Sequence, residues 1–573
     1  MKKKLFLGLV VLFLAFYLKP QSSNWIWAKN CGSIKDDDGY SISTDVLGNI
    51  YVVGNFKGPY TTIGSYNLIN TDNTGNSSDV FIAKYDANGN VLWAKKVGGP
   101  SNDDGKSICT DINGNVYVTG NYIGSHITIE STTLTNSNSS TRDIFIAKFD
   151  SNGNLLWAKN EGASGDDYSQ SISSDSNGNV FITGYFFSTF ISFGSVFLFN
   201  TDNTGNTSDI FITKYDANGN VLWSKKANGT YYDVSKSIRV DNNGNAYITG
   251  FFRSGQIAFG PINLINSHGT DSDVFLVKYD SNGNVLWANS AGYSSGPCCS
   301  FNDEGTGVAV DALGNVYISG RFGSPGINFG SITLYSPGVF IAKYDPNGNV
   351  LWAKRGGKPS GASIGGGYAT GISVDNNNNV YVTGYYSEYF EFGSISINYA
   401  SSIDVYVFKC DANGNDLWAK VSGGSDTDYG FGITNDNYGN VYLTGSFKSP
   451  NMSFGNIYLS NTTSGYYDVF VAKINDVTSI NNSENDDELI VNNYPNPLNE
   501  FTVFEYKVLH GGYVKLDILD LMGRKITTLV DQKLSKGVYK TYFETGDLKS
   551  GIYLYQLSID GKVISTKKMI IVK

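Results

Sequence analysis

Histidine is the side chain best suited to moving protons or holding metals at neutral pH, and this 573-residue chain has three, His126, His268 and His510. They fall in different segments, so a nucleophile–histidine pair or a histidine-based metal site has little material. Carboxylates are the other resource. They cluster as Asp36-Asp37-Asp38, Asp103-Asp104, Asp166-Asp167, Asp233, Asp303-Glu304 and Asp426 with Asp428, and two held across a cleft would suffice to hydrolyse a glycosidic bond. The segment Asp86-Ala87-Asn88-Gly89-Asn90 opens like a calcium loop but lacks the terminal bidentate Glu. Both acidic patterns repeat along the chain, and a residue that returns in every copy meets a need that every copy has. The carboxylates therefore read as acceptors for backbone N–H groups at turns and strand edges. No catalytic residue, metal site or cofactor is expected, and the chain reads as non-enzymatic. The five cysteines, Cys31, Cys109, Cys298, Cys299 and Cys410, are too few and scattered for a disulfide framework. Cys298-Cys299 reads as an incidental insertion.

The frame that positions these residues is a repeat with a period of about 65 residues, marked by Trp27, Trp93, Trp157, Trp223, Trp287, Trp352 and Trp418. In the second copy, alternation and β-branched or aromatic content predict strands at 106–110, 115–122, 143–149 and 154–159. The first pair is joined by Asp111-Ile112-Asn113-Gly114-Asn115 and the last by Asp150-Ser151-Asn152-Gly153-Asn154, tight turns in which Gly supplies a positive φ. The glycine recurs in both turns throughout, except that Asn378 replaces it in the sixth copy. Four antiparallel strands per copy make a propeller blade. The chain opens with an orphan last strand, 24–30, and the array ends with three strands finishing at 468–474. Joined, they complete a seventh blade and remove both open edges.

Strand direction puts both Gly turns of each blade on one face and the other two connections on the opposite, loop-rich face. The acidic clusters and the long connections between second and third strands belong to the latter, which is where a ligand would bind. After the Gly that ends the core of the second strand, the second residue is always aromatic (Phe56, Tyr122, Phe186, Phe252, Phe322, Tyr386, Phe447) and reads as core. The residue between varies: Asn55, Asn121, Tyr185, Phe251, Arg321, Tyr385 and Ser446. Alternation turns it to the other side of the sheet. Tyr185, Phe251, Arg321 and Tyr385 are therefore candidates for stacking on a sugar or peptide, with Asp38 and Asp104 as polar partners.

The net charge of −10 and a charged content of only 16% argue against nucleic acid and anionic membranes as partners. Lys2, Lys3 and Lys4 precede a short apolar run, so 1–22 reads as a secretory signal peptide. The propeller is expected over 23–474, a polar, acidic linker over 475–488 and a separate small domain over 489–573.

Two resemblances add to this reading. Asp111-x-x-Gly114-Asn115-Val116-Tyr117-Val118-Thr119-Gly120 followed by Asp143-Ile144-Phe145-Ile146-Ala147-Lys148, echoed in each copy, resembles the bacterial seven-bladed β-propeller (SBBP) repeat family. That resemblance covers about 24–474 and implies the fold but little about activity. Tyr494-Pro495-Asn496-Pro497, then Leu516-Asp517-Ile518-Leu519-Asp520-Leu521-Met522-Gly523-Arg524, then Leu548-Lys549-Ser550-Gly551-Ile552-Tyr553, resembles the C-terminal sorting domain of the type IX (Por) secretion system. Tyr494, Pro495, Asn496, Pro497, Gly523 and Gly551 carry the motif. This second resemblance implies a small Ig-like β-sandwich recognised by the export machinery in the outer membrane of Bacteroidetes-type bacteria. Its sortase would then remove the domain as cargo is released or attached to surface lipopolysaccharide. The expectation is an all-β protein that passes the periplasm to the cell surface or medium and binds a glycan or extracellular protein without catalysis, in adhesion or substrate capture. A polysaccharide hydrolase or lyase and a structural surface-layer component are the alternatives.

Overall fold

Alternating apolar residues between Asn-Gly turns make each repeat a four-stranded antiparallel sheet. In the second blade the strands are Asp103–Thr110, Val116–Tyr122, Asp143–Phe149 and Leu155–Glu161, in that order across the sheet. The computed structural model describes residues 24–202, 204–267, 269, 271–293, 302–358, 366–476, 491–494, 496, 498–508, 511–520, 524–546 and 548–572. The signal-peptide segment 1–22, linker residues 477–488 and His268, Cys298, Cys299, Pro495, Pro497, His510 and Gly523 lie outside them. The chain divides into two units, Met1–Thr478 and Ser479–Lys573.

In the first unit six blades are contiguous in sequence. The seventh combines Asp428–Asn435, Asn440–Phe447 and Asp468–Asn475 with Asn24–Cys31 as its outermost strand. Ala28 pairs with Ala472 and Cys31 with Val469, so the N-terminal strand closes a seven-bladed ring. First strands of neighbouring blades pack against one another around the axis, and Asp428–Asn435 returns to Asp37–Thr44. The aromatic residues read as core, from Phe56 round to Phe447, are all buried.

Sequence reading missed the content of the long connections. In blades one to five and seven each holds a hairpin of two four-residue strands, such as His126–Ile129 with Thr132–Thr135. In the sixth, the hairpin is fused into Val380–Phe392 and Ile395–Cys410. Each hairpin reaches the end of the preceding blade's outer strand: Thr128 pairs with Gly98, Ala258 with Asn228 and Phe392 with Gly356. Single bridges join Gly32 to Thr62, Gly162 to Ser192, Gly292 to Asn328 and Gly423 to Ser453. The extra length per repeat is thus a clasp between blades, and much of it is unavailable as a free binding loop.

The repeated Leu-Trp-Ala-Lys and Asp-x-Asn-Gly-Asn phrases form a second clasp, on the turn face. Trp93 Nε1 donates to the Ser151 carbonyl in the next blade's second turn (3.2 Å), as does Lys84 Nζ from the same blade (2.8 Å). Trp157 and Lys148 do the same to Ala217, and Trp27 and Lys473 to Ala87 across the ring closure. Gly89 lies under the Trp27 ring at φ 80°, where a Cβ would sit 3.0 Å from the indole, so the position needs Gly for its backbone and for contact. At the seam between blades six and seven the place of that turn is taken by Asp476, the residue after the third strand of blade seven. There Asp476 receives Trp418 Nε1 (3.0 Å), Lys409 Nζ (2.5 Å) and the Tyr381 hydroxyl. The propeller therefore extends through Asp476.

In the second unit, Val491–Tyr494, Phe501–Val508 and Gly537–Glu544 form one sheet, and Lys525–Leu534, Gly512–Leu519, Gly551–Ile559 and Lys562–Ile571 the other. Phe504 and Tyr555 meet between them at 4.8 Å in a core with Leu516, Ile518 and Met569, an Ig-like sandwich. The Asn496 amide donates to the Lys568 carbonyl (2.9 Å) and accepts from the Ile570 N–H (2.8 Å), so this motif residue pins the last strand. Asp520 accepts from the Arg524 N–H and Nε (2.9 and 2.7 Å), which holds the arginine of the Gly-Arg element.

Candidate functional site

The recurrent carboxylates are occupied by the fold. In the first turn of each blade, as at Asp111, one oxygen accepts the N–H groups of Asn113 and Asn115 (2.9 Å each). The other accepts the Asn115 amide (2.8 Å) and the Tyr117 hydroxyl (3.0 Å). The acids opening the first strands are buried. Asp233 accepts the Ser254 hydroxyl (2.7 Å) and the N–H groups of Arg253 and Ser254, and Asp303 and Asp428 do likewise with Ser324 and Ser449. Burial, with a lesser contribution from a neighbouring aspartate, raises Asp167 to about 8, Asp303 and Asp428 to about 7 and Asp233 to about 6. The neighbours are Asp143, Asp273, Asp404 and Asp209, each on the preceding blade. Among the described residues no group of three or more His, Cys, Asp or Glu is placed to hold a metal.

The loop-rich mouth of the axis gathers the variable residues. Tyr185 pairs with Tyr168 of the first strand, their rings stacked at 4.9 Å. Tyr385 pairs with and stacks on Tyr368 at 4.9 Å and meets Tyr429 at 4.7 Å. Arg321 donates to Glu304 (2.9 Å) and to the Tyr368 hydroxyl, with its guanidinium 4.5 Å from that ring's centre. Phe431, between Tyr429 and Tyr40, extends this wall toward blade one. The opposite arc is polar: Asp38 accepts from Ser446 (2.6 Å) and Tyr40 (3.1 Å), and Asp104 accepts from Asn55 (2.8 Å) beside Lys106 (3.7 Å).

Phe251 is a correction to the sequence reading. It is only 6% exposed, beside Tyr232 and under the Lys236 and Arg253 cations, so it packs the wall and offers no open stacking face. Tyr185, Arg321, Tyr385, Asp38 and Asp104 are half-buried around the mouth. Tyr168, Tyr368 and Tyr429 were missed. They occupy the second position of the first strand, where other copies have Asp38, Asp104, Val234 and Glu304. The copy-to-copy comparison applied to the second strand would have found them in the first.

At the opposite mouth, a cavity of about 430 Å³ lies among the ends of the first strands and the turns that follow them, with Arg239 in its wall.

The β-propeller repeat family matches residues 92–121 and 161–185, and the secretion system C-terminal sorting domain family matches 492–573. An uncharacterized WD repeat-containing protein of Acanthamoeba polyphaga mimivirus is 26% identical over 547 residues, covering 79% of this chain and 38% of that protein. Regulatory protein FlaEY of Caulobacter vibrioides is 24% identical over 351 residues, covering 58% of this chain and 35% of that protein. The chain thus spans little more than a third of either relative (38% and 35%). The Neurospora crassa Pan2 WD40 domain superposes with a TM-score of 0.39 at 8% identity, over 80% of this chain and 98% of that one. The chain is a β-propeller of SBBP-type repeats followed by a type IX secretion C-terminal sorting domain, which marks it for export to the cell surface or the extracellular space.

Proposed function

We propose that the exported propeller is a non-catalytic capture module that binds a glycan or an extracellular protein across its loop-rich mouth. The observation that carries this reading is the break in sevenfold symmetry there. Tyr168–Tyr185 and Tyr368–Tyr385–Tyr429 put aromatic walls on parts of the ring, with the Arg321–Glu304 pair between them and Asp38 and Asp104 on the polar remainder. Rigid, half-buried tyrosines beside an arginine suit an anchor site, because they bring contact area at little entropic cost. The internal bonding of the recurrent carboxylates favours binding over hydrolysis. The sorting domain engages the type IX machinery and its sortase, after which the propeller is either released or attached to surface lipopolysaccharide.

The test is a glycan-array screen of the full chain with product analysis of every glycan bound. Binding without turnover is expected, and its loss in Tyr185→Ala and Tyr385→Ala places the ligand at this mouth. Turnover of a bound glycan would overturn the non-catalytic reading.

A further inference from the structure

At the turn-face mouth the first strands depart from the sevenfold pattern at one position. One register position near the end of each first strand, the one paired with Tyr51 in blade one, is small in six blades: Ser43, Cys109, Ser173, Ala309, Ser373 and Thr434. Blade four places Arg239 there, paired in register with Tyr247 as Ser43 is with Tyr51. Its side chain is exposed to the channel interior, and no hydrogen-bonding or ion-pairing partner reaches it among the described residues. Five N–H donors in a planar fork are thus left for solvent or a ligand.

The surrounding charges do not satisfy it. Each of the seven first turns has an aspartate at this mouth, bound by its own turn, and six of these acids also face a lysine of a third strand. Lys84 acts on Asp45, Lys148 on Asp111, Lys278 on Asp241, Lys343 on Asp311 and Lys473 on Asp436, and Lys214 is 3.8 Å from Asp175. In blade six Asp375 lies 2.9 Å from the Tyr381 hydroxyl, which it shares with Asp476. Arg239 is the seventh cation at a mouth with seven aspartates, and among the described residues no carboxylate is in contact with it. Ser373 and Thr434 belong to the same wall.

We propose that this end of the channel is a second binding site, in which Arg239 receives the carboxylate of a sugar acid and the surrounding hydroxyls and amides take its ring hydroxyls. The fork of a guanidinium matches a carboxylate in a bidentate way that an ammonium does not. The volume of about 430 Å³ is within the range of small-ligand pockets and too small for a folded partner. The site is on the opposite face from the aromatic walls, so it does not depend on the reading of that mouth.

The experiment is isothermal titration of the full chain with glucuronate, with glucose as the neutral control and inorganic sulfate as the bare anion. The wild type should bind glucuronate at least tenfold more tightly than either control. Arg239→Ser, which installs the residue found in three other blades, should lower glucuronate affinity at least tenfold with an unchanged melting temperature. Arg239→Lys should fall between. A glucuronate oligosaccharide run in parallel separates two sources: tighter binding of the oligomer marks a chain end, and equal binding marks the free sugar acid. Failure of the wild type to bind glucuronate, sulfate binding as tight as glucuronate, or binding indifferent to Arg239→Ser would overturn the proposal. Loop-mouth ligands should bind Arg239→Ser normally, so the two sites can fail separately.

Discussion

The two faces of the propeller are built from the same seven strands sets, yet they spend their polar groups differently. On the turn face one arrangement is repeated at six of the seven seams: Trp and Lys of one blade grip the second turn of the next, and each first-turn aspartate is filled by its own backbone. On the loop-rich face corresponding positions hold Asn55, Tyr185, Arg321 or Ser446, with contacts that differ from blade to blade. Repetition marks what every blade needs in order to close the ring. Departure from it marks what a ligand can use, and Arg239 is the one large departure at the first-strand register position paired with Tyr51 in blade one.

The largest effect should come from the closure. Deleting 24–31 removes the outer strand of blade seven and opens two edges, and the cooperative thermal transition should be lost by calorimetry. Asp476→Ala leaves Lys409 buried beside nothing that neutralises it, at a cost of about 3–5 kcal/mol readable in a urea titration. Trp93→Ala and Trp287→Ala should each cost about 3 kcal/mol. Their near equality is the sharper check, since unequal losses would show that the blades are not equivalent on this face.

Stability should also depend on pH. Asp233, Asp303, Asp428 and Asp167 are raised to about 6, 7, 7 and 8 in the ring, whereas an unfolded aspartate titrates near ~3.9. Between those values the folded state holds more protons than the unfolded chain, so stability falls as pH rises. The contribution is whole below about pH 4 and is lost as pH passes the folded values. The melting temperature should be higher at pH 5 than at pH 8; the reverse order would contradict the buried placement of these acids.

On the loop-rich face the expected effect moves from stability to binding. Tyr185→Ala and Tyr385→Ala should each weaken the ligand by about 1–2 kcal/mol, roughly tenfold, with little change in melting temperature. The smallest effect belongs to the sixth first-turn, where Asn378 holds a φ of 62° that glycine holds in the other blades. Asn378→Gly should stabilise the ring by about 0.5 kcal/mol.

The period, the tight turns and the orphan N-terminal strand made the ring and its closure legible, because each is a local signal repeated until it cannot be accidental. The hairpins inside the long connections were hidden: four-residue strands such as His126–Ile129 are too short to show alternation. Phe251 was misjudged because alternation gives the side of a sheet and says nothing of what covers it, here Tyr232, Lys236 and Arg253. Tyr168 and Tyr368 escaped because their strand was read for its acids. Arg239 stands in the sequence as a lone charge among small residues, but only the structure shows that it lines the channel.

One titration bears on the division between the faces more than any other: the strongest array ligand against the full chain, its Tyr185→Ala/Tyr385→Ala variant and its Trp287→Ala variant, below all three melting temperatures. Affinity should collapse in the tyrosine variant, whose melting temperature stays at the wild-type value, and persist in the tryptophan variant, whose melting temperature falls. Equal affinity for the wild type and the tyrosine variant would contradict the assignment of binding to the loop-rich mouth.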